Sequence, residues 1–131
     1  MIHVYKWNHL VNDIGSYCKV KNNSGLFQDC SALGNINIAK FKTLKVEDKS
    51  KMFQDFTILI YLDVSNFDKN NVLDTSEMFG GCSNIISLDA PHFNTKKITN
   101  MSYMFYYVNS LRTAGVSNFV TKEVKDMTYI L

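Results

Sequence analysis

Apolar residues return along this chain at a fixed interval of 26. Phe27, Phe53, Phe79 and Phe105 stand 26 residues apart, and Leu131 falls at the next step. Phe41, Phe67, Phe93 and Phe119 keep the same interval, as do Leu33, Leu59, Ile85 and Leu111, and Val46, Val72, Ile98 and Val124. Two further apolar columns run through Ile36, Leu62, Leu88 and Ala114, and through Ile38, Val64, Ala90 and Val116. A polar column persists beside them in Ser50, Ser76, Ser102 and Thr128. Self-similarity at one period, held without an insertion, marks a repeat in which each unit buries its apolar face against the next.

Within a unit the periodicity changes. Leu62 with Val64, and Leu88 with Ala90, alternate with polar residues, as a short half-buried strand requires. Ile98, Met101, Phe105 and Val108 then recur at steps of three, four and three, the stripe of an amphipathic helix, and the 72–79 stretch repeats it. Gly80 with Gly81 offers a stop for that helix. The expected fold is therefore α/β: a leucine-rich-repeat-like solenoid of about four to five strand-turn-helix units, with a parallel sheet on one face. The alternative is an all-β right-handed solenoid in which stretches such as 72–79 are strands instead of helices. Projected backwards, the period meets Asn12 and Gly15 where apolar residues belong, so 1–25 reads as a degenerate repeat or N-terminal cap and 26–131 as the repeat array of a single domain.

The segments LDVSNFDKNNVLDTSEMFGGCSNI, from Leu62 to Ile85, and LDAPHFNTKKITNMSYMF, from Leu88 to Phe105, carry a family resemblance. They resemble the 26-residue repeat of BspA-like bacterial surface proteins and lipoproteins, over roughly 26–131. The resemblance implies a leucine-rich-repeat-like fold, a place at the cell surface or outside the cell, and adhesion through binding of host or partner macromolecules. The chain shows no signal-peptide or anchor pattern of its own, which leaves an intracellular location open.

Composition narrows the chemistry. An apolar fraction of 46% with 20% charged residues is that of a globular chain, and a formal charge of +2 gives no electrostatic case for nucleic acid. No apolar run approaches the ~18 residues a membrane helix needs. Cys18, Cys30 and Cys82 form no C-x-x-C pair and have no histidine at ligand spacing, so no metal or cofactor is implied. Cys30 and Cys82 lie two units apart, about 10 Å at strand spacing, beyond the ~7 Å reach of a disulfide, and read as buried free thiols. Nothing proposes a nucleophile with its acid/base partner, so an enzyme is not expected. His92, after Pro91, reads as a solvated turn residue, and Tyr103, Tyr106, Tyr107 and Tyr129 gather near the C-terminal end as an aromatic contact surface or as partly buried packing.

The remaining candidate is the outward face of the strands. Alternation turns Asn35, Asn37 and Ala39 outward in the first clear unit, Tyr61, Asp63 and Ser65 in the second, Ser87 and Asp89 in the third, and Thr113, Gly115 and Ser117 in the fourth. Such a polar, mildly acidic row suits a protein or glycan surface. The competing expectation is a structural or regulatory repeat that self-associates through its C-terminal edge, where Val124, Met127 and Leu131 have no further unit to cover them.

Overall fold

A computed structural model describes residues 22, 24–29, 46–65, 67 and 71–131. Three short strands, β1 (Tyr61–Asp63), β2 (Ser87–Asp89) and β3 (Thr113–Ala114), form one parallel sheet in the order β1-β2-β3. Leu62 pairs with Leu88 and Leu88 with Ala114, so the register is the sequence period itself. A second parallel ladder of single bridges runs through Asn22, Asp48, Asp74, Asn100 and Asp126, again 26 residues per step.

Between the ladder and the strands the expectation of helices fails. Among the described residues there is no helix; 50–55, 76–81 and 102–107 are runs of turns. Two backbone positions in each run are left-handed, at Lys51, Glu77 and Tyr103 (φ 56, 54 and 56°) and, four residues on, at Asp55, Gly81 and Tyr107 (φ 56, 73 and 57°). A right-handed helix cannot pass through either. The amide groups at alternate positions of each run point to the next unit instead. Phe53 N–H donates to Met78 O at 2.9 Å, Asp55 to Gly80 O at 2.8 Å, and Phe79 to Met104 O at 3.1 Å. The amides between them close three-residue turns, as Met78 does on Thr75 O and Cys82 on Phe79 O. Inward-facing residues consequently recur every three or four positions, the spacing a helix would give, although the hydrogen bonds run between units.

Side-chain columns fill the space these corridors enclose. Phe27, Phe53, Phe79 and Phe105 stack face to face, with centroids 5.4, 5.8 and 5.6 Å apart. The second column, Phe67, Phe93 and Phe119, packs differently. Its rings meet edge to face, Phe67 on Phe93 at 62° and Phe93 on Phe119 at 65°, both favourable aromatic geometries. Leu59, Leu62, Val64, Val72, Ile85, Leu88, Ala90 and Ile98 are all buried, as their columns require. Lys49 is buried as well, its ammonium 4.0 Å from the centre of the Phe67 ring. Cys82 is a buried free thiol whose Sγ–H donates to Phe53 O at 3.0 Å; burial pushes its pKa up to about 12, so it serves as a small hydrophobe. In the last unit the columns open, and Val120, Met127 and Leu131 are exposed. Leu33, Ile36, Ile38, Phe41, Cys18, Cys30 and the proposed 1–25 cap lie outside the described residues, save Asn22, Ser24 and Gly25.

Candidate functional site

Parallel pairing in register makes each outward strand position a row across the sheet. Tyr61 faces Ser87, and Ser87 faces Thr113, whose Oγ1 is 2.9 Å from Ser87 Oγ. One step along, Asp63 faces Asp89. The third rung of that row is Gly115, where a β-carbon would stand 3.4 Å from Asp89 Oδ1 and 3.1 Å from Ala90 N. Glycine thus avoids a tight approach to the Ala90 backbone nitrogen and adds no side chain to the row. Tyr61, Asp89, Thr113 and Ser117 are exposed, while Asp63, Ser65 and Ser87 are half-buried. Asn35, Asn37 and Ala39 lie outside the described residues.

The two carboxylates do different work. Asp63 Oδ1 accepts the Ser65 amide at 2.8 Å and closes the turn after β1, whereas the exposed Asp89 carboxylate has no hydrogen-bond partner among the described residues. Partial desolvation, followed by the charges of Asp63 and Asp89, holds the Tyr61 phenol above its ordinary pKa. Among the described residues no group of three or more His, Cys, Asp or Glu side chains is placed to hold a metal ion. His92 is exposed in a turn, as its neighbour Pro91 suggests.

Two features escaped the reading of the sequence, and a third, the tyrosines, was gathered there without its geometry. Ile60 and Ile86, immediately before β1 and β2, are 56% and 41% exposed and line a hollow with Asn84, Leu111 and Arg112, so the polar row has an apolar shoulder. Hydrophobicity alone had no means of separating them from core residues. The second is the ladder of aspartates and asparagines. Asp48, Asp74 and Asn100 each accept, on Oδ1, both the amide and the hydroxyl of the serine two residues on, at 2.7 to 3.0 Å. Asn100 Nδ2 reaches Asp74 Oδ2 at 3.2 Å, and Asn22 Nδ2 reaches Asp48 Oδ2 at 3.1 Å, tying neighbouring units together. At the end of the ladder, hydrogen bonds from the Thr128 hydroxyl and amide hold Asp126 below the usual carboxylate range. The signal was present as Asx-x-Ser/Thr at 26-residue intervals, and only its serine half was read. The third is the arrangement of the tyrosines. Tyr103 stacks on Tyr129 at 5.1 Å and meets Tyr106 edge to face at 5.4 Å, and Tyr106 lies 4.2 Å from Tyr107. Its hydrogen bond to Tyr107, then burial and the neighbouring phenols, raise the Tyr106 pKa. The four rings lie on turn runs and form one cluster, with Tyr107 and Tyr129 exposed.

No helix among the described residues is long and apolar enough to cross a membrane. No curated protein and no solved structure matches the chain. Comparison with protein families matches residues 21–131, the whole of the repeated region and nearly all of the chain, to the family described as "Mycoplasma protein of unknown function, DUF285". The chain belongs to the DUF285 family.

Proposed function

We propose that this chain is a non-enzymatic binding module, a solenoid of BspA-like 26-residue units that engages a protein or glycan surface along its strand row. What supports this most is the row itself: Tyr61, Ser87 and Thr113 in one register, Asp63 and Asp89 in the next, with Ile60 and Ile86 exposed beside them. An apolar patch rimmed by polar groups is the usual composition of a protein contact. The resemblance to BspA-like repeats adds adhesion, and a place at the cell surface or outside the cell, to the same reading.

The test is capture of purified surface and matrix proteins, and of an array of glycans, by the chain and by a variant carrying Tyr61→Ala with Asp89→Lys. Asp63 is the poorer probe, since its carboxylate also closes a turn. The double change should weaken binding about tenfold or more, because a truncated aromatic anchor and a reversed charge each commonly cost over 1 kcal/mol at a contact. Melting should move by only a few degrees, since both side chains are exposed. A partner whose affinity ignores the change would put the site elsewhere. A second reading, a structural or regulatory repeat that self-assembles without a host ligand, draws on the exposed Val120, Met127 and Leu131 of the last unit. Concentration-dependent sedimentation together with no capture would favour it.

A further inference from the structure

Along the turn edge, successive units place different side chains at the same two backbone positions. Gln28, Gln54, Gly80 and Tyr106 make one column, and Asp29, Asp55, Gly81 and Tyr107 the next. The third unit therefore has no side chain at either position; the Asp55 carboxylate leans into the place that a side chain at Gly81 would take, and Tyr106 and Tyr107 stand on the other side. At ~4.8 Å per step, the backbone that carries Gln54 and Asp55 is about 10 Å from the backbone that carries Tyr106 and Tyr107. The groove between them holds about 300 Å³.

The two walls offer unlike chemistry. Gln54 Oε1 is buried without a hydrogen-bond partner among the described residues, although Nε2 of the same amide donates to Glu77 Oε2 at 2.6 Å. A buried acceptor left open favours an incoming donor. Glu77 is also balanced by Lys51, 3.4 Å away, whereas among the described residues no cation pairs with Asp55. One wall thus carries the Asp55 charge, with the unpaired Gln54 Oε1 buried in it, and the other presents the faces and edges of tyrosine rings. A ligand that satisfies both must be flat, positive and rich in donors. A guanidinium has five N–H donors in one plane, no acceptor, and a weakly hydrated face that stacks on aromatic rings. An ammonium is a compact, strongly hydrated point charge, and a sugar brings acceptors that the acid wall cannot serve.

We infer that this groove receives an arginine side chain from a partner polypeptide, its guanidinium bonded to the Asp55 carboxylate and stacked on Tyr106 and Tyr107. The site shares no residue with the strand row, so either reading can fail without the other.

The experiment is a titration of the whole chain with the acetylated amide of arginine, followed by amide and tyrosine-ring nuclear magnetic resonance signals. The matching derivatives of lysine and of citrulline, which keeps the shape without the charge, serve as controls alongside a methyl glycoside. The arginine compound should shift the Gly80 and Gly81 amides and the Tyr106 and Tyr107 rings, saturating at millimolar concentration, with citrulline and lysine about tenfold weaker. Asp55→Asn should weaken it by about tenfold as well. Gly80→Gln installs the side chain that this column carries at 28 and 54; its β-carbon would meet backbone oxygens of Glu77 and Tyr103 at 3.4 Å, an ordinary contact. That variant should keep the native spectrum and lose the site. Should it fail to fold, Tyr107→Ser, at an exposed ring, should lose binding in its place. Equal response to arginine and citrulline, preference for the glycoside, shifts confined to other residues, or undiminished binding in a folded Gly80→Gln or Tyr107→Ser chain would overturn the inference.

Discussion

Phe53→Ala should destabilise the chain by ~3 to 5 kcal/mol, enough to unfold most of it, since small domains hold only ~5 to 15. Phe53 has no exposed surface and lies in the middle of the stacked column, 5.4 Å from Phe27, 5.8 Å from Phe79 and 6.5 Å from Phe67. Backbone bonds between units fix the spacing of its neighbours, which leaves them little freedom to close on the cavity. Phe105→Ala, at a ring with 9% exposure where the column nears its end, should cost less. Urea unfolding of the two variants beside the parent would check both the size and the order. Equal and small losses would mean that the phenylalanine column is not the core.

Asp74→Ala should be the most damaging change at any polar residue of the ladder, at about 2 to 3 kcal/mol. It removes one acceptor shared by the amide and hydroxyl of Ser76, at 2.8 and 2.7 Å, and a second that receives Asn100 Nδ2 at 3.2 Å. The Ser76 amide, inside a turn, would lose its partner. Asp74→Asn keeps an oxygen for Ser76, as Asn100 does for Ser102, and should recover at least half of the loss. Urea unfolding of the pair separates the two roles. Equal loss in both would assign the effect to the carboxylate charge instead of the turn.

The strand row could be read directly from the sequence because a two-residue alternation has one structural meaning. Leu62 and Val64 are buried, and Tyr61 and Asp63 are turned away from them, as the pattern requires. Spacing by threes and fours is ambiguous, and that ambiguity produced the false helices at 72–79 and 98–108. Glycine is the ordinary mark of a left-handed position, but the structure uses Lys51, Asp55, Glu77, Tyr103 and Tyr107 there, and among the described residues only Gly25 and Gly81 betray the columns. Bonds between units hold these residues in conformations that they avoid in isolation, so local preference gave no warning. The groove beside the tyrosines was hidden for another reason: Gly80 and Gly81 suggest a helix stop when read along the chain, and a gap only when units two and four are set beside them.

Everything proposed for the two surfaces depends on units stacked in register through turns. Hydrogen-bond scalar couplings between amide nitrogens and carbonyl carbons, measured by nuclear magnetic resonance, report those bonds one by one. The Phe53 amide should couple to the Met78 carbonyl, Phe79 to Met104, and Phe105 to Ile130. Coupling of the Phe79 amide to the Thr75 carbonyl, four residues back in the same unit, would restore the helix and contradict the fold on which the row and the groove are built.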